Sequence, residues 1–186
     1  MDNGPRCNVR KLEIDLPASP NDAEYIHLDP ADVYLLETNV LHAFTDGSCF
    51  YGDRSGGWGV RLIWNGVAKE IYGGATGQTN NSMELEAIKQ ALLARRRPEA
   101  PMIIYSDSQY CIGALTEWHY RWARNYWRTS KGSAVKNVEL IQSIIPLVTD
   151  NVQMRWVKGH RGHVHNERAD ELASLGRATY GRVSDD

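Results

Sequence analysis

The chain has 186 residues, 42% of them apolar, and a formal net charge of −2. That length supports one domain with a sizeable core, and three scattered cysteines without a CxxC pair argue against a disulfide framework or a cysteine zinc site. No apolar run approaches the roughly 18 residues of a membrane span and the first residues lack a signal-peptide core, so the expectation is a soluble, cytoplasmic monomer that needs no membrane and no obligate protein partner.

Residues 1–40 hold four prolines, many acids and little periodicity, which predicts loops with one short element around "VYLLETNVL". Up to residue 45 there are eight acids against three bases, so the remainder carries a surplus of three positive charges. "LHAFTDGS" reads as a strand. "GWGVRLIW", Asn65-Gly66 and "VAKEIYGGA" form an Asn-Gly hairpin signal. "SMELEAIKQALLARRR" has helical spacing with Asn81 as its cap, and "PMIIYSD" is a buried strand. "SQYCIGALTEW" is a short helix. It is followed by "HYRWARNYWRTSKGSAVK", which has five basic residues and no acid and suits a polyanion. "VKNVELIQSIIPLV" is a helix, "VQMRWVK" a fifth strand and "NERADELASLGRA" a closing helix. The element order βββαβααβα predicts an α/β fold with a five-stranded mixed sheet flanked by helices.

Four acids sit where acids are costly. Asp46 ends the first strand, Glu84 lies on the apolar stripe of the first long helix, Asp107 ends "MIIYS", and Asp170 lies beside Ala169 and Ala173. Each taken alone reads equally as a cap or a surface acid, and Asp107 as the cap of the next helix. Brought together, ionised carboxylates need protons or cations to offset desolvation and repulsion. Oxygen-only clusters select hard divalent ions such as magnesium or manganese. In "KGHRGHVHNERADELA" the H-x2-H-x-H spacing of His160, His163 and His165 lacks the i, i+4 geometry of a zinc helix.

"FTDGSC", "TNNSMELEA", "YSDSQY", "VKN" and "WVKGHRGHVHNERADELA", in this order and at these intervals, resemble type 1 ribonuclease H over about residues 41–178. The resemblance implies a ribonuclease H-like fold in a catalytic domain at 41–178, preceded by an extension at 1–40 and followed by a tail at 179–186. It implies hydrolysis of the RNA strand of RNA/DNA hybrids by a two-metal-ion mechanism that leaves 5'-phosphate and 3'-hydroxyl ends. The ions would be Mg2+, with Mn2+ as the alternative. By correspondence Asp46, Glu84, Asp107 and Asp170 are both metal ligands and catalytic residues. His160 matches the catalytic histidine and transfers a proton near neutral pH. His163 looks structural, His165 is read as a solvent residue, and Asn166 as the cap of the last helix and a contributor to the site.

For the hybrid substrate, the resemblance implies contacts from Thr79, Asn80 and Gln109, and from a basic protrusion with Trp118, Arg121, Arg124 and Arg128. The three arginines fall at i, i+3 and i+7, which would set them on one helix face with Trp118, Trp122 and Trp127 packed as core. One departure is the loop "FYGDRSGG", where the family carries a "GNPG"-like sequence. The Asn is absent and Asp53 adds charge, offset by Arg54. The extension lacks the basic, aromatic motif of a hybrid-binding domain and either packs on the domain or stays mobile. Two rival readings remain: a non-catalytic hybrid-binding module, and another nuclease of the same superfold.

Overall fold

A computed structural model describes residues 25–159 and 163–180. The first described stretch holds strand β1 (Ile26–His27) and helix α1 (Pro30–Val33). Asp29 caps α1 by accepting from the Ala31 amide at 2.8 Å, and Pro30 sits in its first turn, where a missing N–H costs nothing.

Strand β2 (Leu41–Cys49) leads through an exposed turn to β3 (Gly56–Trp64) and β4 (Val67–Ala75). Asn65 and Gly66 have φ of 46° and 82°, the left-handed pair that a type I′ hairpin requires, so the predicted turn is present. Helix α2 (Asn80–Leu93) follows. Its cap is Thr79 and not Asn81: the Thr79 hydroxyl accepts from the Ser82 amide at 3.1 Å while the Thr79 amide donates to the Ser82 hydroxyl at 2.9 Å. That reciprocal box satisfies two amides at once, where Asn81 would satisfy one.

Strand β5 (Met102–Ser106) is wholly buried. The helix expected after it is three pieces: α3 (Gln109–Gly113), a π-helical turn (Ala114–Trp118) and α4 (His119–Arg124). Helix α5 (Val138–Ile144) starts after Asn137, at φ 58°, and gives way to a 3-10 turn at Ile145–Leu147 that contains Pro146. Strand β6 (Val152–Trp156) and helix α6 (Val164–Tyr180) complete the fold.

The sheet runs β1-β4-β3-β2-β5-β6, with β2 parallel to β5 and β5 parallel to β6, and the other pairs antiparallel. It has six strands where five were predicted, because the proline-rich segment donates two residues to the edge of β4. Alternation along the strands splits the interior into two layers. Leu41, Ala43, Leu62, Met102 and Ile104 face α2, α3 and α5, with Leu85, Ile88, Leu115, Ile141 and Ile144 above them. Phe44, Ile63, Ile103 and Tyr105 face the other way, toward Ala169 of α6 and toward Leu28, Val33, Leu36 and Val40. Residues 25–40 therefore act as a strap that finishes covering the second face.

The strap is tied at several points. Leu28 N donates to the Gly66 carbonyl (2.9 Å) and Asn39 N to the Asn65 side chain (2.8 Å). The buried His42 donates through Nε2 to the Glu37 carbonyl (2.9 Å), and Glu37 pairs with Arg155 at 3.0 Å. Helix α6 meets the sheet through small residues: a β-carbon on Gly57 or Gly59 would collide with its backbone at Ala173, Arg177 or Ala169. On this face Glu70 is shared between Arg61 (3.5 Å) and Arg168 (2.8 Å).

Candidate active site

The acids of interest gather at the carboxyl ends of the central parallel pair. Asp46 lies two residues beyond Phe44, the last β2 residue paired with β5, and Asp107 two beyond its partner Tyr105, so parallel pairing sets the two carboxylates side by side. Such ends of parallel strands are where open α/β sheets place ligands. Glu84 comes from the opposite layer. The start of α2 lies directly on β2, since a β-carbon on Gly47 would strike the backbone of Met83 and Glu84. Asp46, Glu84 and Asp107 each offer an oxygen, and all three oxygens lie within 4.8 Å of one another.

Both Asp46 (6% exposed) and Glu84 (8%) are buried. Burial, reinforced by the charges of Asp107 and Asp170, pushes the Asp46 carboxyl up to about 7, against the local pull of the Gly47 amide, which donates to its Oδ1 at 2.7 Å. Burial and the facing Asp46 and Asp107 raise Glu84 well above the usual carboxylate range. Glu84 Oε2 is buried with no hydrogen-bond partner. Among the described residues no cationic side chain pairs with Asp46 or Glu84. An all-oxygen group with an orphaned acceptor and carboxyls driven toward protonation fits a hard divalent cation, which would replace the missing positive charge.

Asp107 is held by its backbone: its carbonyl accepts from the Trp156 indole N–H at 3.0 Å. It does not cap the next helix, because Ser108 does, accepting from the Cys111 amide at 3.2 Å. Gly159 passes so near that a β-carbon there would meet Asp107 Oδ2. Asp170 stands outside the close group of three, and its charge reaches Asp46 from α6. Nothing in the sequence pointed to Trp156 as the support of Asp107, because the bond depends on β6 lying beside β5.

The other site candidates are spread around this centre. Asn80 and Gln109 open α2 and α3 and are exposed, while the Thr79 hydroxyl is engaged in the cap of α2. Trp118 is half-buried against Trp122, at 5.8 Å between ring centroids, and Trp127 packs on the same core. Arg121 and Arg124 are exposed on α4, but Arg128 is not on that helix: the chain leaves helical geometry at Asn125, and Tyr126 and Trp127 have φ of 51° and 57°. Arg128 instead bridges to Ala134 and donates to the Gly132 carbonyl at 2.8 Å. In the loop after β2, Arg54 donates to the Gly77 carbonyl at 3.0 Å, and Asp53 accepts from the Ser55 amide at 2.8 Å.

His160 lies outside the described residues. His163 packs its ring on Phe44 at 5.1 Å, as a structural residue would. Two expectations for this segment fail. His165 is 2% exposed and not a solvent residue, because Phe44 and the strap cover it. Asn166 is the third residue of α6 and not its cap, since the helix begins at Val164 with the His163 carbonyl accepting from the Asn166 amide. Its side chain is buried and Oδ1 has no partner.

Comparison with known proteins gives a consistent picture. The RNase H family model matches residues 38–178. Ribonuclease H of Hahella chejuensis is 48% identical over 138 residues, covering 74% of this chain and 93% of that protein. Ribonuclease H of Rhodospirillum rubrum is 45% identical over 143 residues, covering 75% and 86%. Among solved structures, LC9-RNase H1, a type 1 RNase H with the type 2 active-site motif, superposes with a TM-score of 0.66 at 27% identity, covering 77% of this chain and 74% of that one. The foamy viral protease-reverse transcriptase in complex with RNA/DNA hybrid shares the fold at 18% identity, with a TM-score of 0.67 over 75% of this chain and 20% of that one.

Proposed function

The chain belongs to the ribonuclease H family, and from that premise we propose that it hydrolyses the RNA strand of RNA/DNA hybrids with divalent ions held by Asp46, Glu84, Asp107 and Asp170. The observation that carries this reading is that oxygens of the buried Asp46 and Glu84 and of the part-exposed Asp107 lie within 4.8 Å of one another. A binding module would gain nothing from acids aimed at a phosphate backbone.

A divalent ion bound there supplies Lewis-acid polarisation of the scissile phosphate and a more acidic attacking water. The chain's own residues do the rest. Asp46 sits between the other acids, and Glu84, reaching in from α2, lies on the side where the RNA strand passes. Asn80 and Gln109, exposed at two helix starts, read the substrate backbone and minor groove together with Thr79; hydrogen bonds to 2'-hydroxyls restrict cleavage to RNA. Arg121 and Arg124 on α4 take the DNA phosphates, backed by Trp118. Arg128 orders the loop between Thr129 and Ser133 that follows them. Asn166, buried in the first turn of α6, helps order the site. His160 gives or takes the proton at the attacking water or the leaving 3'-oxygen, so that the products are 5'-phosphate and 3'-hydroxyl ends. The ion is Mg2+, replaceable by Mn2+.

No helix among the described residues is long and apolar enough to cross a membrane. Cys49 and Cys111 are free thiols, which suits the cytoplasmic, reducing setting we propose for an enzyme read as a monomer. A time course on an RNA/DNA duplex, an RNA duplex and single strands, with magnesium, manganese or EDTA, tests the proposal. Metal-dependent cutting of the hybrid's RNA strand alone is expected. Equal cutting of all substrates, or cutting in EDTA, overturns it.

A further inference from the structure

Helix α6 carries Asp170, and its opening turns are held on two sides. Arg168 binds Glu70 through Nε and Nη2, at 3.0 and 2.8 Å. Five residues before Asp170, His165 is enclosed between Phe44, 5.0 Å away in a tilted ring contact, and the strap, where its Nε2 meets the Asp32 carbonyl at 2.8 Å. A carbonyl oxygen only accepts, so Nε2 carries the proton and donates. Nδ1, buried and without a partner, is left bare. Burial lowers the basicity of the ring, which keeps it neutral in that role.

Asp32 belongs to α1, a four-residue helix whose geometry rests on the Asp29 cap, and the strap's other polar ties go to the β3–β4 turn, to His42 and to Arg155. The His165 bond is thus a polar link between the strap and α6. Five residues advance a helix by about 7.5 Å and nearly one and a half turns, so His165 faces the strap while Asp170 faces Asp46. To the close packing of α6 on the sheet and the Arg168 grip, the His165 bond adds a tie at the first turn of the helix, and losing it frees that turn, five residues from Asp170.

We propose that His165 is a positioning residue for catalysis, through which the strap of residues 25–40 fixes the start of α6 and with it the placement of Asp170. This rests on the reading of Asp170 as a metal-site carboxylate. The strap is then part of the catalytic apparatus and not an appendage.

The test uses the full chain and three changes. His165→Phe keeps the ring packed on Phe44 but removes the donor; His165→Gln retains an N–H; Asp29→Ala loosens α1 from the exposed surface without touching the core. His165→Phe is expected to lower kcat about tenfold with KM within about twofold, the size of effect a small misplacement of a reacting group produces. It also weakens Mn2+ binding several-fold in a calorimetric titration without substrate, and His165→Gln recovers most of both losses. Asp29→Ala reproduces the pattern more weakly, and combined with His165→Phe it adds nothing further. Wild-type kcat and Mn2+ affinity in His165→Phe overturn the proposal, as does a fall in melting temperature alone or fully additive losses in the double variant. Asp170→Asn is the control for the underlying reading: if it cleaves normally, the metal-site assignment fails, whatever His165 does.

Discussion

Two groups of buried charge in the molecule are built on opposite principles. At one, Glu70 is shared by two arginines, with Arg168 gripping it through two nitrogens and reaching on to Glu171 at 2.7 Å. At the other, Asp46 and Glu84 face each other and Asp107, and their carboxyls are driven toward protonation. The first group is complete within the chain and serves to place an element. The second has no cationic partner among the described residues, and on the proposed reading a bound cation would complete it.

The contrast is broken most severely by Asp46→Asn. Removing the central charge is expected to cut hybrid cleavage on the order of a thousandfold in single-turnover assays, because on the proposed reading Asp46 is one of the carboxylates that would hold the cation. The same change raises the melting temperature in EDTA by relieving the like-charge contact, and hybrid binding persists. A cleavage loss matched by a loss of stability would put Asp46 with the structural acids.

Next comes pH. The folded-state value of Asp46, about 7, lies above its unfolded value of 3.8, so the folded form holds the extra proton between them. Metal-free stability should fall as pH rises from about 4 to 7 and stay low above that, by about 4 kcal/mol at most. Urea unfolding in EDTA at pH 5 and pH 8, wild type against Asp46→Asn, reads the difference directly. A wild-type slope no steeper than the variant's removes the strained acid from the comparison.

Glu70→Gln tests the completed group. It should cost about 2 kcal/mol, below the value for breaking a fully buried pair because the Arg168 side chain is 41% exposed. The magnesium-induced rise in melting temperature should match that of the wild type. A changed increment would mean that the two groups are coupled. Smallest are the surface cations. Arg121→Ala and Arg124→Ala should each raise KM a few-fold and lower the salt slope of binding by about one, whereas Arg128→Ala should do less because its guanidinium is committed to the Gly132 carbonyl. Equal slopes for all three would return Arg128 to the phosphate-facing set.

What could be read in advance was local. The Asn65–Gly66 turn, the strand "MIIYS" and the long helix around Glu84 are encoded within a few residues, and each stands where the pattern put it. The four carboxylates were marked by family motifs, while the meeting of Asp46 and Asp107 depends on parallel pairing of strands some sixty residues apart, which no periodicity conveys. The failures share a cause. His165 was read as a solvent residue because the resembled family varies at its position; what buries it is Phe44 and Asp32, the latter on a segment with no recognisable motif. Arg128 looked helical because its spacing continued, but the left-handed backbone at Tyr126 and Trp127 ended the helix.

The π-helical turn at Ala114–Trp118 carries a consequence of its own. A π turn accommodates one more residue than the α-helix on either side of it, and each helical residue advances the bearing by about 100°. Trp118 folds back over Gly113 and stays against the core, while Arg121 and Arg124 come out facing solvent. The extra residue thus sets the angular phase of everything after it. Deleting one residue there would leave the charge of the protrusion unchanged but aim its arginines along a different compass bearing.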